Sequence, residues 1–318
     1  MATKRIVAIV GATGAQGGGL ARAILRDAAS GFTVRALTRH PENPKARSLA
    51  ALGADVVFAD SDDIESLKRA FAGAYGAYCV TNFWEHGSPE RELTQAASMA
   101  EASRCAGLQH VIWSTLEDTR RLIPLTDDRM PTLMGKYKVP HFDAKGEANG
   151  LFERLAAPTT FLLTSFYWDN LLHFPGMGLR TGADGQLAIA MPMGHKKLPG
   201  IAADDIGQCA FGILKEGRRF IGQTIGIAGE HLTGDQMASA LTKALGRDVR
   251  YTDVSPLVYR TWDFPGAAEL CNMLQFKRDF EQVYCGARSV EQSRQLNPSL
   301  QTFERWLAGH TGQFGIPR

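Results

Sequence analysis

Apolar residues in the first half of the chain come in short blocks, each followed by a stretch where they recur at helical spacing. Ile6–Val10 is a β-type run that leads into glycines at 11, 14 and 17 and then into the helix-like Leu20–Leu25. The same rhythm predicts strands at Thr33–Leu37, Asp55–Phe58, Ala77–Val80 and His110–Trp113. Between them it predicts helices over Pro44–Leu52, Asp62–Phe71 and Pro89–Ala106. Strands that alternate with helices through short connections imply parallel pairing, hence a doubly wound α/β sheet. Beyond Asp118 the alternation loosens. Thr119–Pro140 reads as a long loop over a cleft mouth, Phe142–Leu155 as a helix and Thr159–Leu163 as a sixth strand. The aromatic run Phe166–Trp168 reads as cleft wall or interlobe core. Phe174–Gln186 is rich in glycine and proline and starts a second lobe, and Ile201–Asp205 reads as a strand end with an acidic helix cap. Strands at Gln223–Ile227 and Arg250–Asp253 flank a helix at Thr233–Leu245, and Leu300–Ala308 carries a last helical stripe. These elements predict a domain over 1–165, including the loop 119–140, and a smaller α/β lobe over 166–318, with the chain crossing between them.

The strand, glycine turn and helix start at the N-terminus form a Rossmann-type cradle for a pyrophosphate. Glycines at 11, 14 and 17 let the backbone turn tightly and approach the phosphates, and the unpaired N–H groups of the helix start face the negative charge. Gly11, Thr13, Gly14, Ala15, Gln16 and Gly17 are therefore expected to hold a dinucleotide. The end of the second strand selects which one. An acid there would accept the ribose hydroxyls of NAD, whereas this chain has Arg39, whose planar guanidinium suits a 2′-phosphate. NADP(H) is the expected cofactor, with weaker charge from Lys45 and Arg47 nearby. Asp60 is expected by the adenine, and Asp62 and Asp63 as caps of the next helix.

Composition removes other classes. A formal net charge of +2 with both signs interspersed leaves no footprint for nucleic acid or an anionic membrane. Lys136, Lys138, Lys196 and Lys197 read as solvated loop charges. The chain has no apolar stretch long enough for a bilayer, and Met1 runs almost at once into the first strand, so no leader and a cytoplasmic location are expected. The five cysteines are scattered and suit a reducing compartment, with Cys79 and Cys105 in core packing. No His-Glu-x-x-His or clustered Cys/His pattern is present, so no metal is expected.

The glycine turn combines with Thr38-Arg39, Thr81–Glu85, His141–Glu147, Phe166–Asn170, Asp204–Gly207, Phe264–Ala267 and Trp306-Leu307. Together they resemble the NmrA-like family of atypical short-chain dehydrogenase/reductases over nearly the whole chain, closest to the branch containing the human redox-sensor protein. The resemblance implies two lobes with a ligand cleft between them. It also implies the pyrophosphate on the glycine turn, the 2′-phosphate on Arg39, Thr81 and Asn82 along the nicotinamide-side ribose, and Lys145 at the ribose or nicotinamide. The wider superfamily uses Tyr-x-x-x-Lys on one helix face, where the lysine lowers the tyrosine pKa. No tyrosine here has a lysine four residues on, and the motif position reads His141-x-x-x-Lys145. His141 shows no orienting partner in sequence and reads as a helix-end or cleft-lining residue. Ser114, after the fifth strand, can either polarise a carbonyl or cap a turn. An intact cofactor site without the tyrosine favours an NADP(H)-binding redox sensor or regulator. The alternative is an NADPH-dependent reductase of small carbonyl, quinone or enone compounds using Lys145, with His141 or Ser114. An open polar cleft beside Lys145 points to chemistry and a filled one to sensing. A small-molecule ligand in the interlobe cleft, a regulatory protein partner and a homodimer are all compatible with the sequence.

Overall fold

The computed structural model describes residues 3–182 and 185–314, so positions 183–184 of the glycine- and proline-rich stretch lie outside the described residues. Through residue 163 the chain runs β1 (Arg5–Ile9), α1 (Ala15–Arg26), β2 (Phe32–Thr38), α2 (Pro44–Ala51), β3 (Asp55–Phe58) and α3 (Ile64–Phe71). It continues through β4 (Gly76–Cys79), α4 (Pro89–Cys105), β5 (His110–Thr115), α5 (Pro140–Arg154) and β6 (Thr159–Leu163). Then come β7 (Phe166–Tyr167), α6 (Asn170–His173), β8 (Arg180–Thr181), β9 (Leu187–Met191), β10 (Leu198–Ile201) and α7 (Ala203–Lys215). The rest is β11 (Thr224–Gly226), β12 (Glu230–Leu232), α8 (Gly234–Leu245), β13 (Val249–Asp253), α9 (Pro256–Tyr259), α10 (Ala267–Asp279), α11 (Glu281–Gly286), α12 (Val290–Leu296) and α13 (Phe303–Ala308).

Seven strands form one parallel sheet in the order β11-β6-β5-β4-β1-β2-β3, with the reversal of winding between β1 and β4. Ligands of such sheets gather at that switch point, beyond the carboxyl ends of the strands. Both faces are covered. Val7, Ile9 and Val34 pack with Leu20 and Ile24 of α1 and with Ile206 and Ile213 of α7 on one side. Ala77, Val111 and Trp113 pack with Leu67, Met99 and Phe152 on the other. The chain returns to this sheet through β11, and α7 packs on α1. Its contact with α1 depends on Gly19 and Gly207, because a Cβ on Gly207 would lie 2.1 Å from the Leu20 nitrogen. Two three-stranded sheets, β12-β10-β7 and β13-β9-β8, and helices α8–α11 and α13 enclose a third core around Trp168, Ile189, Leu274 and Trp306. Trp168 thus lies in the second lobe's core.

Four local expectations are corrected. α7 has no side-chain cap of its own; the Ala203 N–H donates to Asp169 Oδ2 at 2.9 Å. Asp205 instead turns inward and accepts from the Asn297 side chain and the Gln301 N–H, both at 2.9 Å. Lys138 is buried, not solvated, with its ammonium on the carbonyls of Asp127 and Met130 at 2.8 and 2.6 Å. Cys105 is exposed, while Cys79 lies in the core. The 119–140 loop inserts Ile123, Met130 and Val139 into the second lobe's core, and none of its residues lines the main cleft.

Candidate functional site

β1 ends in a turn whose backbone Gly11 holds at φ +65°, a conformation that favours glycine. A Cβ on Gly17 would lie 2.5 Å from the Gly11 carbonyl oxygen, so the helix can follow the turn this closely only with glycine there. The first turn of α1 carries no acidic residue, and Gly14 offers no side chain to cap it. Its N–H groups therefore lack a side-chain acceptor and face outward at a helix N-terminus, the condition for holding an anion. Gln16 supports the turn from beneath. Its side chain accepts from Ser114 at 2.8 Å and from the Tyr78 hydroxyl, and donates to the Tyr167 hydroxyl.

From this turn a cavity of about 470 Å³ runs between the lobes. Of the residues singled out in sequence, it brings together Gly11, Thr13, Gly14, Ala15, Gln16, Gly17, Arg39, Thr81, Asn82, His141 and Lys145. Ser114 and Asp60 are not on its wall. The Ser114 hydroxyl is buried against Gln16, and the Asp60 carboxylate accepts the Asp62 N–H at 3.0 Å. Asp63 caps α3, as the spacing implies.

At the outer end, Arg39 pairs with Glu85 at 2.5 Å, each side chain about 40% exposed. Glu85 raises the Arg39 pKa, and Arg39 in turn holds the Glu85 carboxyl below the usual range. Glu85 belongs to a single 3-10 turn, Phe83–Glu85. The neighbouring Trp84 packs against His141 and Phe174, with ring centroids 5.0 Å apart in both cases.

Further in, α5 presents Lys145 from a buried position. Its ammonium reaches the Thr81 hydroxyl at 2.6 Å, the Thr81 carbonyl at 3.1 Å and the wholly buried Glu92 carboxylate at 2.8 Å. Glu92, on α4, carries no sequence signal for this role. One turn earlier His141 is fixed twice by Glu269 of α10, which accepts from the His141 N–H at 2.8 Å and contacts its Nδ1 at 2.6 Å. No hydrogen bond occupies His141 Nε2 among the described residues. The start of α5 is itself held by Asp143, which accepts four hydrogen bonds from Thr119, Lys138 and Val139; burial still raises its pKa. A carboxylate–imidazole pair of this form fixes the orientation of the ring. Sequence could not show this partner, because Glu269 lies 128 residues away.

The inner end is apolar: Phe142, Phe166, Met177, Leu270 and Met273 line it, together with Lys277 and Tyr284. No cluster of three or more metal-ligating residues exists among the described residues. Among the described residues no helix is long and apolar enough to cross a membrane.

Comparison with known proteins places this geometry in context. The model of the NmrA-like family matches residues 3–307. An NmrA-like family domain-containing oxidoreductase of Aspergillus flavus is 30% identical, the match covering 79% of this chain and 76% of the relative. An NmrA-like family domain-containing protein of Dictyostelium discoideum is 27% identical over 95% of this chain and 96% of its own. Among solved structures, NmrA, a negative transcriptional regulator in complex with NADP, superposes with a TM-score of 0.80 at 22% identity, covering 99% of both chains. The Citrobacter sp. triphenylmethane reductase complexed with NADP(H) gives a TM-score of 0.75 at 20% identity, covering 96% of this chain and 99% of that one.

Proposed function

The chain belongs to the NmrA-like family, and on that premise we propose that it is an NADPH-dependent reductase of small carbonyl, quinone or enone compounds. The observation that carries this reading is His141, clamped by Glu269 on the wall of an open cleft with Nε2 unengaged. The residues present fit the cofactor. The glycine turn, where a Cβ at Gly17 would collide, would hold the pyrophosphate, and Arg39 would hold the 2′-phosphate. Thr81, Asn82 and Lys145 would line the ribose and nicotinamide side. Bound NADPH supplies a hydride. The chain's own part is to position the acceptor and deliver a proton. In the imidazolium form, His141 presents N–H at Nε2 to a developing oxyanion, while Glu269 prevents the ring from rotating and offsets its charge. Lys145 is already committed to Glu92 and Thr81, so it fixes the cleft wall and its field in place of acting as the mobile proton source. Trp84, Phe166 and Phe174 keep water from the reacting region.

The test is NADPH oxidation across a panel of carbonyls, quinones and enones. His141→Asn is expected to lower kcat by about 10²–10⁴-fold, the usual contribution of a general acid, with NADP binding retained in calorimetry. Glu269→Gln is expected to lower kcat by a smaller factor at unchanged KM. Full turnover by the His141→Asn protein, or no turnover on any member of the panel, removes the reading.

A regulator that responds to NADP(H) is a second reading, favoured by the Arg39–Glu85 pair. A 2′-phosphate that draws Arg39 from Glu85 also frees the turn carrying Trp84. Unchanged hydrogen exchange over residues 83–87 on adding NADPH removes it.

A further inference from the structure

Lys277 and Tyr284 lie at the inner end of the cleft, away from the residues given a role so far. Lys277 is 2% exposed, yet no hydrogen bond or salt bridge joins it to any described residue. Its ammonium sits among three rings, 5.5 Å from the centroid of Phe142, 5.8 Å from Phe166 and 5.4 Å from Tyr284. The Tyr284 hydroxyl, from α11, is buried and also lacks a partner. Both residues line the cavity. The charged groups that face this corner are Arg288 and Glu117. Glu117 is consumed by Arg288, which holds it through both terminal guanidinium nitrogens and stacks 3.6 Å from the Tyr284 ring. Lys277 therefore has no counter-charge of its own.

Two donors without acceptors at the apolar end of one cavity are costly unless something else satisfies them, since burying an unpaired charge is among the most unfavourable arrangements in a protein. Ring faces recover a part of that cost. We propose that Lys277 and Tyr284 are the anchor for a ligand with an apolar, aromatic-sized body and a carboxylate or comparable oxyanion. This rests on the reductase reading of the same cleft, and it narrows the substrate class to carbonyl or enone compounds that also carry an acidic group. The placement suits it. Phe142 separates the two polar points, with His141 4.8 Å from its ring on one side and the Lys277 ammonium on the other. α10 supplies Glu269, Leu270, Met273 and Lys277 at helical spacing, so one helix face both orients the proton donor and holds the anion.

Burial and the neighbouring Arg288 lower the Lys277 pKa to about 7, and burial raises that of Tyr284, which stays a donor. An anion binds the protonated lysine, so affinity is full below pH 7 and falls as pH rises through it.

The test uses NADP-loaded protein and two fluorescent probes with a similar body, the anionic 8-anilinonaphthalene-1-sulfonate and the neutral N-phenyl-1-naphthylamine. The sulfonate stays charged throughout, so any pH effect belongs to the protein. At pH 6 the anionic probe is expected to bind at least about tenfold tighter than the neutral one, and to lose most of that advantage by pH 8.5. Lys277→Met, which keeps the length without the charge, should abolish the preference and leave the neutral probe within about twofold. Tyr284→Phe should weaken the anionic probe several-fold. Equal binding of both probes at pH 6, or a preference that survives Lys277→Met, overturns the anchor. Calorimetry with NADP alone separates the two proposals. Absent cofactor binding with an intact, Lys277-dependent preference in the unloaded protein defeats the reductase and leaves the anchor; the reverse defeats only the anchor.

Discussion

At the scale of single residues, Arg39 is where sequence and structure meet most directly. Its position after β2 is the ground for proposing that it holds a 2′-phosphate, but does not reveal Glu85 lying against it. Both side chains are more than a third exposed, so the pair is worth about 0–1 kcal/mol once solvent screening is included. A dianionic phosphate in a bidentate contact with the same guanidinium is worth more, about 1.5–3 kcal/mol. The phosphate therefore wins, and Glu85 costs affinity without blocking the site. Arg39→Ala is expected to weaken NADPH by about 10–100-fold and leave NADH unchanged, whereas Glu85→Gln strengthens NADPH by up to about fivefold. Calorimetric titrations with both nucleotides check this, and equal losses for NADPH and NADH would falsify the assignment. His141 shows the opposite limit. Its local context gave it no partner, because the group that orients it comes from the other lobe. Lys277 was invisible for a related reason: a lysine in sequence carries no sign of burial.

At the scale of elements, legibility followed periodicity. The first six strands and the helices between them were readable because each helix buries one apolar stripe against a sheet whose strands are built around short apolar runs. α10 was not. It is buried nearly all round, with Glu269, Asn272, Gln275 and Lys277 inside among apolar neighbours, so its sequence shows no polar face. Its polar residues work elsewhere. The Asn272 side chain donates to the carbonyls of Pro131 and Lys138, at 2.9 and 2.6 Å, and Gln275 donates to that of Arg129 at 2.8 Å. These bonds hold the 119–140 loop against the second lobe, which is why a loop expected at the cleft mouth packs into a core instead. The α1–α7 contact is more brittle. Gly207→Ala places a methyl against backbone that cannot swing aside, so it is expected to cost about 1–3 kcal/mol, the range for overpacking. Because α1 also begins at the phosphate turn, NADP affinity should fall with it. Urea denaturation and NADP titration of the same sample measure both, and a variant as stable as the parent would show that the helices can part without penalty.

At the scale of the whole molecule, the question is what keeps two lobes in one register across an open cleft. Two of the polar ties that cross it are Glu269 to His141, and Glu117 with the Thr164 carbonyl to Arg288. Arg288 is 1% exposed. A buried pair adds little over an apolar replacement, yet breaking one side leaves an uncompensated charge and costs about 3–5 kcal/mol. Here the cost is sharpened, because losing Glu117 leaves Arg288 facing Lys277 with no carboxylate between them. Glu117→Gln is therefore expected to destabilise by about that amount and to lower affinity for both nucleotide and inner ligand, since both lie in the cleft that the tie spans. Adding Arg288→Met removes the stranded charge, so the double variant should recover most of the stability. It should not recover the affinity, because the recovered stability comes from apolar packing within the second lobe and no longer specifies where Glu117 and β5 sit against it. Thermal unfolding of the three proteins, read beside NADP titrations, separates the two effects. Recovery of both together would mean that the ion pair stabilises the fold without setting the register of the lobes.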